Sequence, residues 1–108
     1  MANSFKNYFL KNANTTSQNV YVAGAGVSAT VIGMTIGNTT AAPITANITV
    51  TSATVAYTML LSATIATGGA LVPVGGDQKL VLEAGDYIQV QTSAANSADV
   101  IVSVLEIT

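Results

Sequence analysis

From Ile44 to Thr51 the chain alternates: Ile44, Ala46, Ile48 and Val50 are apolar, while Thr45, Asn47, Thr49 and Thr51 between them are polar. A period of two sends successive side chains to opposite faces of an extended backbone, so this run predicts a strand with one buried face. The pattern recurs along most of the chain. It predicts strands at Gln18 to Ala23, at Thr30 to Asn38 with Ile32, Met34 and Ile36 inward, and at Val55 to Ile65 with Tyr57, Met59 and Leu61 in step. Further runs are Lys79 to Leu82, Tyr87 to Thr92 with Ile88 and Val90 inward, and Asp99 to Ile107 with Val100, Val102 and Val104 inward. Phe5 to Leu10 reads either as an eighth strand or as an arm that docks on a neighbour.

Turn-forming residues punctuate these runs at Gly24 to Gly26, Asn38 to Pro43, Gly68-Gly69, Pro73 to Asp77, Ala84 to Asp86 and Ser93 to Ser97. Turns at this spacing, with no helical period, predict an all-β fold: a single antiparallel β-sandwich or jelly-roll-like barrel of seven to eight strands. The expected organisation is an N-terminal arm or edge strand over residues 1–17 and a sandwich domain over 18–108. No composition shift marks a second domain, and there is no fixed-period repeat.

Half of the 108 residues are hydrophobic and only 7% are charged, against about 25% in an ordinary soluble domain. No charge falls between Asn12 and Gly76. Charge keeps free monomers soluble and strand edges apart, so a stretch without it predicts surface covered by neighbours. Three lysines, no arginine and a net charge of −2 exclude the basic footprint of nucleic-acid binding. Mean hydropathy is +0.55, but the most apolar stretch, Val20 to Ile36, is broken by Gly24, Gly26, Ser28, Thr30, Gly33 and Thr35, so no membrane span is expected. Met1 to Leu10 lacks the continuous apolar core of a signal peptide. The triplets at Asn14, Asn38 and Asn47 match the glycan-acceptor pattern, as chance predicts in a chain so rich in Asn and Thr.

With no His and no Cys, a serine nucleophile such as Ser28, Ser62 or Ser103 would lack its usual base. Asp77, Glu83, Asp86 and Asp99 are the pool from which a catalytic carboxylate pair or a calcium site could come. Asp77 and Asp86 follow glycines, where a short carboxylate accepts local backbone hydrogen bonds, so Glu83 to Asp86 predicts a hairpin turn. Asp99 stands at a strand entrance. The spacing of Asp77, Glu83 and Asp86 fits no calcium-loop template. Gly24-x-Gly26-x-x-Ala29 imitates a dinucleotide fingerprint, but the next segment reads as a strand and not the helix that a phosphate site needs. No enzyme activity, cofactor or metal is expected. Three of the six aromatics, Phe5, Tyr8 and Phe9, lie within the first nine residues and are the candidate partner contacts.

Gln78-Lys-Leu-Val-Leu-Glu-Ala-Gly-Asp86, the strand Tyr87 to Thr92, the ending Ser97 to Glu106 and the stretch Thr30 to Asn38 resemble small β-sandwich proteins encoded among the virion genes of tailed bacteriophages. The resemblance covers most of the chain and rests on strands and turns. It implies a non-catalytic virion protein without fixing its place in the particle. Taken with the charge-free stretch and the absent active-site residues, it leads to the expectation of a capsid decoration or cement role on the major capsid protein ahead of a tail, neck or fibre role. The implied localisation is the virion. The implied partners are copies of itself, as a homo-oligomer such as a trimer, and other virion proteins. The alternative is a receptor- or carbohydrate-binding sandwich on a fibre, marked by exposed Tyr21, Tyr57 and Tyr87.

Overall fold

The computed structural model describes residues 3–74 and 79–108. Among these residues there are nine strands and no helix: β1 (Asn3–Ala13), β2 (Gln18–Val22), β3 (Ser28–Asn38), β4 (Ile44–Ser52), β5 (Val55–Ile65), β6 (Ala70–Val74), β7 (Leu80–Leu82), β8 (Tyr87–Thr92) and β9 (Ala98–Ile107). They form two antiparallel sheets. The first has the order β1-β9-β3-β6, with β7 also paired to β3, and the second the order β2-β8-β4-β5. Because β6 and β7 both pair with β3, they act as one interrupted edge strand. The result is an eight-position, jelly-roll-like sandwich in which most connections cross between the sheets.

The core lies between the sheets and is built by the inward half of each alternation. Val31, Met34, Ile36, Val100, Val102 and Val104 of the first sheet meet Ile48, Ile88 and Val90 of the second, all buried. Each such side chain contributes about 1.5–3 kcal/mol on leaving water. Asn38 closes one end of the core: its Nδ2 donates to the Ile65 and Ala42 carbonyls at 3.1 and 2.9 Å, and its Oδ1 accepts from the Thr40 N–H at 2.8 Å.

The Gly24 to Val27 turn joins the sheets, with the Val27 N–H on the Gly24 carbonyl at 3.1 Å and Gly26 at φ +74°, a conformation that glycine adopts without strain. It leads into strand β3. The turn at Glu83 to Asp86 has Gly85 at φ +89°, and the Asp86 carboxylate accepts from the Glu83 N–H at 3.0 Å. It is not the expected hairpin, however, since β7 pairs with β3 and β8 with β2 and β4. The chain changes sheets there.

Three further expectations need correction. Strand β6 lies in a region read only as turns, which brings the count to nine. Ile32 does not point inward: the ladder to β9 is irregular between Val31 and Gly33, and this extra residue makes Val31 and Met34 the inward pair. Tyr57 and Leu61 are exposed. The β4–β5 ladder slips on both sides of the Ile48–Leu60 pair, so Leu60 takes the inward parity and Leu61 faces out, with Ser62 at φ 53° in the slip between Leu60 and Ala63. The Gly75 to Asp77 turn lies outside the described residues.

Candidate interaction surface

β1 runs along the edge of the first sheet, paired with β9 from Asn3–Ile107 to Ala13–Ala98. Alternation along it separates the three aromatic candidates. Phe5 and Phe9 stand on the outer face, 77% and 68% exposed. Tyr8 faces the core, its ring 4.7 Å from that of Tyr21. The structure therefore brings Phe5 and Phe9 together on one surface and gives Tyr8 an internal role.

That role centres on Glu106, which the list of candidate carboxylates omits. Its Oε2 accepts from the Tyr21 hydroxyl at 2.7 Å and from the Tyr8 hydroxyl at 2.9 Å, and its Oε1 pairs with Lys6 Nζ at 3.1 Å. The Tyr21 hydrogen bond, with those from Tyr8 and Lys6, holds the Glu106 carboxyl below its ordinary pKa against the opposing cost of burial. Burial, reinforced by the carboxylate, pushes both tyrosines up. A signal for Glu106 was present: it continues the inward set Val100, Val102, Val104 by two residues. At the far end of β1, Asp99 accepts from the Asn12 N–H at 3.1 Å and from Lys11 Nζ at 3.0 Å, which together lower its pKa.

The register carries the outer face inward from β1. Phe5 pairs with Leu105, Leu105 with Thr30, and Thr30 with Val81, a row crossing β1, β9, β3 and β7. Four residues along, Phe9, Ile101 and Thr35 form a second row. Val81 is 66% and Ile101 46% exposed. Between the two rows lie the smaller Asn7, Ser103 and Gly33, with the Ser103 hydroxyl donating to Asn7 Oδ1 at 2.7 Å. Phe5, Asn7, Ile32 and Ser103 line a depression of about 220 Å³ here.

The outer face of the second sheet is different in kind. Asn19, Gln89, Thr49 and Thr58 form one row across it, and Asn47 pairs with Gln91 in the next. These amides bond one another or the backbone: Gln89 Nε2 to Asn19 Oδ1 at 2.9 Å, Gln91 Nε2 to the Thr15 carbonyl at 2.7 Å, and the Ser62 N–H to Asn47 Oδ1 at 2.6 Å. Tyr57, 59% exposed, borders a groove of about 330 Å³ with Val50, Met59 and Leu80. Tyr21 is buried and Tyr87 half-buried. Among the described residues no three carboxylates or other ligating side chains gather as a metal site would require; Asp77 lies outside them.

No protein-family model and no curated protein sequence matches this chain. Its fold is similar to that of a solved chain from Bacillus endospore appendages, described as a novel family of disulfide-linked pili, with a TM-score of 0.58 and 15% identity over 98% of this chain and 88% of that one. The present sequence contains no cysteine, so the likeness is one of fold, without the disulfide links named for those pili.

Proposed function

We propose that the chain is a non-catalytic structural subunit of a bacteriophage virion, a decoration or cement protein that packs on the major capsid protein and on copies of itself. The observation that carries the packing role is the outer face of the first sheet, where Phe5, Phe9, Val81 and Ile101 stand in water while the opposite face is a self-bonded amide surface. A soluble domain gains by covering such a patch. The virion assignment is supported by the sequence resemblance of Gln78 to Thr92 and Ser97 to Glu106. A pilus-subunit neighbour in fold space is compatible with repeated self-association. Three of the carboxylates already serve structure: Asp86 closes a turn, Asp99 binds the Asn12 N–H, and Glu106 holds two tyrosines.

Cryo-electron microscopy of intact particles, together with co-sedimentation of the purified chain with capsids, tests this reading. Density for the sandwich on the capsid surface is the expected result. Particles that lack it, and capsids that fail to retain the chain, reject the assignment. The groove beside exposed Tyr57 favours a second reading, a glycan-binding module on a fibre. A glycan array that lights up for the wild type and goes blank for Tyr57→Ala would replace the first reading with this one.

A further inference from the structure

Resting on the packing role above, the outer face of the first sheet still needs a defined occupant and geometry. We infer that two copies of this chain pack face to face through the outer side of the β1-β9-β3-β7 sheet, an isologous pair with Phe5, Leu105 and Val81 of each copy set into the other's Asn7–Ser103–Gly33 trench.

Area is the first argument. At ~200 Å² per aromatic, Phe5 and Phe9 at 77% and 68% exposure leave roughly 300 Å² of ring surface in water. Val81 and Ile101 carry the patch toward the upper end of the ~300–600 Å² found on soluble monomers. A stable interface takes ~800 Å² per partner, so the dimer draws on the polar rows beside the patch as well. The patch is also broad. Phe5 and Val81 are three strand spacings apart, about 14 Å, so the surface is a sheet face and not a terminal arm.

Shape and charge select a second copy as the occupant. The two apolar rows lie four residues apart along β1 and β9, about 13 Å, with the Asn7–Ser103–Gly33 row midway and Ile32 bounding it on β3. A copy turned about a two-fold axis across the strands, with its rows displaced by two residues, sets one apolar row into that trench and receives the same in return. With the Phe5–Leu105–Val81 row in the trench, Phe9 and Ile101 fall opposite the uncharged Asn3–Ile107–Ser28 row. The other choice would set Phe5 and Leu105 against Asp99. At the β1 end of the face Lys11 and Asp99 neutralise each other at 3.0 Å, so that end attracts no charged partner.

Sedimentation equilibrium of the full chain tests this separately from any question of the virion. The wild type is expected to be a dimer. Phe9→Asp and Val81→Asp, on opposite sides of the face, should each weaken it about thirtyfold or more, the scale of an interface hot spot. Thr58→Asp on the other sheet should leave it unchanged, and circular dichroism reports whether each variant is folded. If an aspartate variant does not fold, Phe9→Ser and Val81→Ser make the same test without the charge. A wild type that is monomeric or trimeric at high micromolar concentration overturns the inference, as does a dimer that survives both substitutions or is lost with Thr58→Asp. A monomer found on capsids would sink this interface and spare the virion reading, whereas a dimer absent from particles would do the reverse.

Discussion

Glu106 draws on three strands at once: Tyr8 and Lys6 from β1, Tyr21 from β2, and its own β9. Its pKa is depressed in the folded chain, so its contribution is present above the ordinary carboxyl pKa of 4.5 and is lost as pH falls through the lower folded value. The Tyr21 hydroxyl is the largest cause of that depression. Tyr21→Phe should therefore cost about 2 kcal/mol at pH 7, the worth of a hydrogen bond to a charged group. The gap to wild type should narrow toward pH 3, below the ordinary carboxyl pKa, where the unfolded chain already binds the proton and the depressed pKa contributes less. Asp99, also depressed, contributes the same sign to both and drops out of the difference. Urea unfolding at the two pH values reads the gap. A gap that stays constant would mean that Tyr21 acts through its ring alone.

At the scale of the element, the β4–β5 hairpin shows where local signals stop. Ser52 pairs with Val55 across a two-residue loop in which Ala53 and Thr54 both have positive φ, 51° and 66°. That is the geometry of a type I′ turn, which favours Asn-Gly and penalises a β-branched residue. Ala53→Asn with Thr54→Gly should raise stability by about 1 kcal/mol, the relief of left-handed strain less the added freedom of glycine when unfolded. Thermal unfolding checks it, and a lower midpoint would refute the strain argument. Nothing in Ser-Ala-Thr-Val marks a turn, so the sequence places both flanking strands without showing how they join. The inward sets of β8 and β9 are legible because alternation there is unbroken. Ile32 is not, because Val31 and Ile32 are both apolar and either parity is satisfied until a bulge decides. β6 is hidden by Pro73 and its flanking glycines, which an edge strand tolerates. Phe5 and Phe9 were visible as candidates, but Val81 was not. Its place in their row depends on β9 and β3 lying between β1 and β7, and strand order is set by contacts far apart in sequence.

For the molecule as a whole, the scarcity of charge becomes a statement about how it associates. Of eight charges, Lys6 and Glu106 form one internal pair and Lys11 and Asp99 another. The charge-free stretch from Asn12 to Gly76 is divided between two kinds of surface. In β2, β4 and β5 it supplies the amide and threonine face, where Asn19 and Asn47 bond the glutamines of β8. In β3 it supplies Thr30 and Thr35 to the apolar rows of the first sheet. Contacts made by that sheet remove apolar area from water and neutralise almost nothing. Salt at 1 M shortens the screening length from about 10 Å at 0.1 M to about 3 Å, which weakens ionic contacts and leaves apolar ones intact. Excluded salts such as sulfate strengthen burial. Self-association should therefore be as tight in 1 M sodium chloride as in 0.05 M, and tighter in ammonium sulfate at equal ionic strength. Light scattering across the series measures it. A tenfold weakening in sodium chloride would transfer the contact to Lys6, Lys11 and their acidic partners, and the outer face of the first sheet would lose its claim to be the assembling surface.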